Sequence, residues 1–140
     1  MQVFLPYPDI KQSLQSLDYR RLGKQRVEAN QIINILEKKV LTNAWRNHPA
    51  VLMFVGFTDL LKWYYNSAID EWIGRGYNNT MSKQESCIWE ETKFPAWWGD
   101  DRFHSSHRSK LLFKDPKFYC RYGWTEPNNL EYFWPSKEGF

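Results

Sequence analysis

The chain of 140 residues contains little cysteine and no long hydrophobic run. Its two cysteines, Cys87 and Cys120, lack the C-x-x-C spacing of zinc and redox sites, so we expect free thiols in a reducing compartment. No apolar stretch is long enough to span a membrane, and the first residues, MQVFLPYPDIKQ, lack the basic and apolar regions of a signal peptide. The sequence therefore predicts a cytoplasmic protein without membrane contact.

Several signatures of common enzyme classes are also missing. The GRG stretch at 74–76 fits neither a dinucleotide-binding loop nor a nucleoside-triphosphate loop, and no HExxH motif or serine-hydrolase elbow is present. The formal net charge of +3 allows a phosphate-bearing partner but is weaker than that of strongly basic nucleic-acid domains. We predict no cofactor.

Aromatic residues, in contrast, make up 18% of the chain and include eight Trp. Large flat rings either build a core from few residues or offer stacking surfaces for nucleobases, and the core role is the more frequent one. With 42% hydrophobic and 25% charged residues, the composition is that of a globular protein. The length fits one domain, and no linker or repeat divides residues 1–140.

Hydrophobic periodicity predicts a mostly α-helical fold, a compact single-domain helical bundle around a long central buried helix. The central helix should run from Ala50 to about Ile73, with Asn47 as its cap and Pro49 in its first turn. A short extended segment precedes the bundle, and an aromatic, turn-rich tail follows it. The other predicted helices are one from Ser13 or Ser16 to Lys39, a short one from Ser82 to Glu91, and one that starts after Asp100 or Asp101 and ends at Pro116.

The first long helix carries polar residues where its apolar face should continue. Its C-terminal half forms an apolar stripe through Ala29, Ile32 and Ile33, drawn at about 100° per residue. Extended toward the N-terminus, the stripe meets polar side chains, whereas Arg20 and Lys24 point to solvent. The polar residues on the stripe or at its edges are Asp18, Arg21, Gln25, Arg26 and Glu28.

Two interpretations of these inward polar residues are open, because a buried polar group must find a partner. One is an internal network, for example between Asp18 and Arg21. The other is a polar pocket in which Arg21 and Arg26 hold a phosphate or carboxylate. In that pocket Gln25 would bind a base or sugar, and Glu28 would act as an acid or base.

The last predicted helix repeats this pattern with His104, His107 and Arg108 beside an apolar stripe. Two imidazoles and a guanidinium near a helix N-terminus suit an anionic ligand, although a satisfied core histidine is an open alternative. His48 is a further candidate ligand contact and could complete a three-histidine metal set. Because the chain has no HExxH motif and no cysteine pair at zinc spacing, we predict no metal site.

Five blocks together span nearly the whole chain: MQVFLPYPD, LDYRRLGKQRVEANQI, WRNHPAVLMF, HSSHRSKLL and YGWTEP. In these blocks the chain resembles a group of small bacterial and viral proteins related to the pyrimidine-dimer DNA glycosylases of the phage endonuclease V type. The resemblance implies a compact all-α enzyme that flips a nucleotide out of damaged duplex DNA. Such an enzyme attacks the sugar with its N-terminal α-amine and uses a helix glutamate as the essential acid.

Carried onto this chain, the resemblance implies that Glu28 is the catalytic glutamate and Arg26 the arginine beside it. The α-amine would be that of Met1, because Gln2 disfavours removal of the initiator methionine. The other arginines and histidines of the two helices would contact phosphate, with DNA as the partner. We favour this DNA-repair interpretation, as a pyrimidine-dimer glycosylase and AP lyase.

A second function is a phage protein that binds a small nucleotide and sequesters or cleaves a signal of cyclic-dinucleotide or ADP-ribose type. The modest charge suits one or two phosphates better than a long duplex. Frequent Asn, Lys and Ile fit a phage gene, whose product would act in the host cytoplasm. An interaction protein with exposed aromatic rings is a third function, and a homo-oligomer is compatible with all three.

Overall fold

The computed structural model describes residues 1–38, 46–85 and 92–137, and within these ranges the chain forms helices and turns without a β-strand. The mostly α-helical fold, with an extended N-terminal segment ahead of the helices, is therefore confirmed. The helices are α1 (Ile10–Ser16), α2 (Tyr19–Leu36), α3 (Pro49–Leu52), α4 (Thr58–Gly74), α5 (Asp101–Lys114) and α6 (Pro116–Tyr119), and the 3₁₀ turns are Cys120–Tyr122 and Pro135–Lys137.

The centre of the fold is the packing of α2 against α4. Helix α4 is the long buried helix that periodicity predicts, and α2 buries the C-terminal half of the stripe described above. Each fully buried large apolar side chain contributes about 1.5–3 kcal/mol, so this interface is a large part of the stabilising core. The core side chains of the two helices are Leu22, Ala29, Ile32 and Ile33 on α2, and Leu60, Leu61, Tyr64, Tyr65, Ala68 and Ile69 on α4.

The single helix predicted from Ser13 or Ser16 to Lys39 is wrong, because the chain breaks at Leu17 and Asp18 and forms two helices. Asp18 has extended backbone angles (φ −65°, ψ 160°), and its carboxylate accepts the amide N–H of Arg21. This is an N-cap, which starts α2 afresh at the next residue. The break places Asp18 in the lining of the pocket described below.

The predicted helix from Ala50 to Ile73 is also interrupted. Helix α3 ends at Leu52, and α4 begins only at Thr58. Between them Gly56 has a positive φ of 84°, a conformation that glycine adopts without strain. Phe54 is buried in this turn, so apolar spacing alone suggested a helix where the chain is irregular.

Helix caps account for the remaining boundaries. His48 rather than Asn47 caps α3, because its Nδ1 accepts the N–H of Ala50 at 3.0 Å. Helix α5 starts after Asp100, whose carboxylate caps it, and ends before Pro116, both as predicted. Residues 82–85 are not helical, and the rest of the helix predicted from 82 to 91 lies outside the described residues.

Two further sequence expectations concern single features. Cys120 is exposed and has a free thiol, whereas Cys87 lies outside the described residues. Within the described ranges, no helix combines the length and apolarity that crossing a membrane requires.

Candidate active site

The N-terminal segment, residues 1–8, passes through the core, and Gln2 to Pro6 are buried. With no partner strand in the described part of the chain, its backbone groups need side-chain partners. His107 Nδ1 accepts the N–H of Leu5 at 2.9 Å. His104 Nδ1 donates to the Leu5 carbonyl at 2.8 Å, because its Nε2 accepts the N–H of Gly99. The two histidines of α5 therefore hold Leu5 from both sides of its backbone.

Both histidines are neutral at physiological pH. Burial, together with the nearby His104 and Arg108, lowers the pKa of His107 to about 3. Burial also lowers the pKa of His104, although the hydrogen bond to the Leu5 carbonyl acts in the opposite direction. A neutral imidazole whose nitrogen binds the backbone offers no positive charge to a phosphate.

Arg108 holds the next part of the segment. Its Nη1 donates to the carbonyl of Pro6 at 2.7 Å, while Nε is paired with Glu126 at 3.0 Å and Nη2 with Asp101 at 2.9 Å. Burial alone would lower the pKa of this guanidinium, but the two carboxylates outweigh it and raise the pKa. Arg108 therefore fixes the chain that leads out of the site.

Gln25 is 1% exposed and bonds both to the N-terminal segment and to its own helix. Its Oε1 accepts the N–H of Phe4 at 2.8 Å and the hydroxyl of Tyr64 at 2.7 Å. Its Nε2 donates to the carbonyl of Gln2 at 3.0 Å and to the carboxylate of Glu28 at 3.1 Å. The amide thus uses both of its N–H groups and both acceptor positions of its oxygen within the protein.

Asp18 and Arg21 form the ion pair that the internal-network interpretation proposes, with 3.2 Å between Arg21 Nη1 and Asp18 Oδ1. The buried hydroxyl of Tyr119 donates to the Asp18 carboxylate and accepts the Asp18 N–H at 3.1 Å. Burial would raise the pKa of Asp18, but Tyr119 and Arg21 together hold it below its usual value. The lowered pKa favours the ionised form of Asp18, and the ion pair lies in the lining of the adjoining pocket.

That pocket is a cleft of about 970 Å³ lined by Met1, Gln25 and Glu28 and by the first turns of α2. Its volume is at the upper end of the roughly 300–1,000 Å³ of small-molecule sites. Its basic side chains are Arg20, Arg21, Lys24, His48 and Lys114, and its carboxylates are Asp18, Glu28 and Asp115. Its aromatic side chains are Phe4, Tyr19, Phe118, Tyr132 and Trp134. The cleft thus combines carboxylates, a primary amine, basic groups and flat rings.

His48 lies on the rim of this pocket, next to the N-terminus. Its ring is 5.8 Å from that of Trp134, edge to face. Burial lowers its pKa, and the N-terminal amine and Lys137 lower it further. His48 is therefore part of the pocket and is separate from the two histidines that bind Leu5.

Arg26 lies on a different face of α2. Its guanidinium carbon is 4.1 Å from the ring centroid of Trp72, and Nη1 donates to Asn79 Oδ1 at 2.8 Å. Burial lowers the pKa of Arg26. These contacts join α2 to the end of α4 and to the segment after it, away from the pocket lining.

The structure brings five of the nine predicted site residues together and places four elsewhere. The residues that line the pocket are Met1, Arg21, Gln25, Glu28 and His48. The residues that hold the N-terminal segment or the α2–α4 packing are Arg26, His104, His107 and Arg108. Within the described ranges, no three His, Cys, Asp or Glu side chains cluster as metal ligands would.

Sequence reasoning missed several pocket residues. Arg20 and Lys24, which we expected only on the surface, are exposed but also line the cleft. Tyr132, Trp134 and Lys114 come from the far end of the chain, and their participation depends on how the tail folds back. The only sequence signal for them was the aromatic enrichment of the tail.

Fold and pocket together define a small helical protein in which acidic, primary-amine, basic and aromatic groups surround one cleft. A family model for pyrimidine dimer DNA glycosylase matches residues 1–85, more than half of the chain, so the chain belongs to this family. The predicted relationship is confirmed, and it supports DNA repair as the role and DNA as the substrate. No curated protein and no solved structure matches the chain.

Proposed function

We propose that the protein removes a damaged base from DNA and cleaves the strand, with Met1 supplying the nucleophilic amine and Glu28 the acid. One observation carries this proposal: Met1 and Glu28 line the same cleft, and Gln25 is bonded both to the N-terminal segment and to Glu28. The family match covers all of these residues.

In this reaction the unprotonated α-amine attacks C1′ of a flipped nucleotide. A bond forms between the amine nitrogen and C1′, and the glycosidic bond breaks as the base leaves as an anion that takes a proton from solvent. The Glu28 carboxylate takes a proton from the attacking amine and gives it to the sugar ring oxygen as the ring opens to a Schiff base. The regenerated carboxylate then removes a proton from C2′ as the 3′ phosphate leaves, and this elimination cuts the strand.

Other pocket residues fit the phosphates and bases of the same DNA substrate. Arg21, Lys24 and Lys114 present positive charge for the phosphates on either side of the flipped nucleotide. Tyr132 and Trp134, whose ring centroids are 5.3 Å apart, offer stacking surface for a base.

The test is borohydride trapping on ultraviolet-irradiated duplex DNA. We expect a covalent adduct whose DNA fragment maps by mass spectrometry to the N-terminal peptide, with Met1 present. Glu28→Gln should lower the trapping rate by about 100-fold, in the range of general-acid catalysis. Glu131→Gln, which changes an exposed glutamate in the same way, should trap at the wild-type rate. Absence of both adduct and nicking would exclude the proposal.

A second arm tests the amine. A short peptide extension before Met1 should abolish trapping, whereas the same extension at the C-terminus should leave it intact. Circular dichroism establishes that both proteins are folded. Trapping that persists with the N-terminal extension would exclude Met1 as the nucleophile.

The composition of the cleft also favours a second candidate, the binding of a small nucleotide such as a cyclic dinucleotide or an ADP-ribose derivative. Arg21 and His48 stand near Trp134 in a cavity of nucleotide size. A thermal-shift screen tests this candidate, because a ligand at 100 times its Kd stabilises the folded state by about 2.7 kcal/mol. Unchanged melting temperatures across mono- and dinucleotides would exclude it.

A further inference from the structure

Beside the cleft, three aromatic rings from separate parts of the chain form a connected surface, which we call the Tyr19–Tyr77 surface. Tyr19 is the first residue of α2, Trp72 lies near the end of α4, and Tyr77 follows that helix. The ring centroids of Tyr19 and Tyr77 are 6.1 Å apart, and those of Tyr77 and Trp72 are 4.5 Å apart. Tyr19 is 50% exposed and Tyr77 is 40% exposed.

The rings of this surface are held in place from below. Trp72 lies over Gly23, where a Cβ would come within 3.1 Å of the indole ring. The indole N–H donates to the carbonyl of Asn78 at 2.7 Å, and the Arg26 guanidinium lies 4.1 Å from the ring centroid. The glycine and the arginine of α2 therefore support Trp72, and Trp72 supports Tyr77. A surface fixed in this way binds a flat partner at little cost in side-chain entropy.

Contacts within the protein account for the position of Trp72, but they leave half of the Tyr19 side chain exposed to water. The hydroxyl of Tyr19 accepts a hydrogen bond from Arg20 Nε at 3.1 Å, and the Arg20 guanidinium lies 5.7 Å from the tyrosine ring. Tyr19, Arg20 and Lys24 also line the cleft, so the surface is continuous with the proposed active site. Exposed rings next to cationic side chains are the combination that single-stranded nucleic-acid sites use.

We propose that the Tyr19–Tyr77 surface stacks an unpaired nucleobase of the DNA held at the cleft, while Arg20 and Lys24 contact the phosphates beside that base. A protein that flips a nucleotide leaves bases unpaired at the lesion, and a stacking surface recovers part of the lost stacking energy. This inference rests on the DNA-binding part of the proposed function and is independent of the roles of Met1 and Glu28.

The test uses a duplex with one unpaired 2-aminopurine and the matching fully paired duplex. We expect wild-type protein to bind the first duplex more tightly and to quench its fluorescence as the base stacks. Tyr77→Leu should weaken binding to the unpaired-base duplex about fivefold or more and remove the quenching, while changing binding to the paired duplex by less than about twofold. Tyr77→Phe keeps the ring and should behave as wild type.

Two further variants serve as controls. Tyr19→Leu should show the same loss of unpaired-base binding and quenching, and it replaces Tyr77→Leu in the test if the melting temperature shows that Tyr77→Leu is unfolded. Phe94→Leu removes another exposed ring, 46% exposed and in contact with Trp63 and Trp98, and should bind both duplexes normally. Equal wild-type affinity for the two duplexes, equal losses on both, or unquenched 2-aminopurine would overturn the inference. Because binding is measured without turnover, a failed trapping experiment leaves this result intact.

Discussion

The side-chain amide of Gln25 donates a hydrogen bond of 3.1 Å to the carboxylate of Glu28, one turn further along α2. The same nitrogen donates to the carbonyl of Gln2, and the amide oxygen accepts the N–H of Phe4. One buried side chain therefore fixes the acid and the backbone that follows the amine. If Met1 and Glu28 react as proposed, Gln25 is the residue that sets their relative position.

Replacing Gln25 with glutamate tests this positioning role. The new carboxylate can still accept the Phe4 N–H and the Tyr64 hydroxyl, but it cannot donate to Gln2 or Glu28. We expect Gln25→Glu to lower the single-turnover trapping rate about 10-fold or more at saturating DNA, with a small change in DNA affinity. Urea denaturation should show a loss of about 3–5 kcal/mol, because the new charge is buried beside the Glu28 carboxylate without a cationic partner.

The double variant Gln25→Glu/Glu28→Gln is the matched control for that prediction. It restores a donor and an acceptor at the two positions with their roles exchanged. Part of the lost stability should return, whereas trapping should stay as low as in Glu28→Gln. A wild-type trapping rate in Gln25→Glu alone would refute the positioning role.

Arg21 and Arg26, which the sequence suggested as equivalent, should behave differently. Arg21 lines the cleft, so Arg21→Ala should weaken DNA binding and reduce the slope of log K against log salt by about 1. Arg26 stacks on Trp72 and binds Asn79, so Arg26→Ala should lower the free energy of unfolding by about 1–2 kcal/mol. Anisotropy titrations at several salt concentrations, together with denaturation curves, measure both effects.

The two arginine variants serve as controls for each other, since each removes one guanidinium from α2. If the salt dependence of DNA binding is unchanged in Arg21→Ala, Arg21 does not contact a phosphate. An Arg26→Ala protein of wild-type stability that no longer bound fully paired duplex DNA would show that Arg26 is a phosphate contact, since the Tyr19–Tyr77 surface that Arg26 supports is proposed to bind the unpaired base alone.

Removal of the Tyr119 hydroxyl should destabilise the protein in a pH-dependent way. In Tyr119→Phe, Asp18 loses one of the two partners of its carboxylate and the partner of its N–H, while the ion pair with Arg21 stays, at a cost of about 1–3 kcal/mol near neutral pH. The folded-state pKa of Asp18 lies below its ordinary 3.8, so this stabilisation is present above pH 3.8 and is lost as the pH falls through the folded pKa. The stability gap between wild type and variant should therefore narrow below pH 3.8.

Tyr122→Phe is the matched control for this measurement. The Tyr122 hydroxyl donates to the carbonyl of Ser16 at 2.9 Å, and a carbonyl does not titrate. Its stability difference from wild type should stay constant over the same pH range. A gap for Tyr119→Phe that is equally constant would show that Asp18 is not stabilised as an anion.

Much of the fold followed from local patterns, because helical periodicity and caps depend on neighbouring residues. Helix α5, its Asp100 cap and its end before Pro116 are examples, and so is the buried part of α2. The break at Asp18 was missed because this residue was interpreted as an inward polar group of one continuous helix, whereas it is an N-cap. The break at Gly56 was missed because apolar spacing continues across that turn.

For the site, the sequence predicted which side chains face inward, but the distant residues that they contact could not be predicted. Phasing of α2 correctly indicated that Gln25 is directed inward, and it indicated nothing about the partner. For His104 and His107 the partner is the backbone of Leu5, about a hundred positions earlier in the chain. Polar residues on an apolar face mark either a ligand site or a buried network, and only the position of the distant segment separates the two.

The buried imidazole of His107 should make the protein sensitive to acid. Its folded-state pKa is about 3, whereas an ordinary histidine has a pKa of 6.5. Between these values the unfolded chain binds a proton that the folded protein does not, so the free energy of unfolding falls as the pH drops. One such proton accounts for a slope of up to about 1.4 kcal/mol per pH unit. In His107→Asn the amide oxygen can still accept the Leu5 N–H but cannot titrate, so the slope between pH 6.5 and 4 should be shallower.

His48→Asn supplies the comparison for that slope. The same substitution there also replaces an Nδ1 that accepts a backbone N–H, in this case from Ala50, but at a half-buried position. Because solvent reaches His48, its protonation costs the folded state less, and the pH dependence of stability should stay close to that of wild type. Denaturant melts of the three proteins at half-unit pH steps measure the slopes. Identical slopes for wild type and His107→Asn would show that His107 can be protonated in the folded protein without loss of stability.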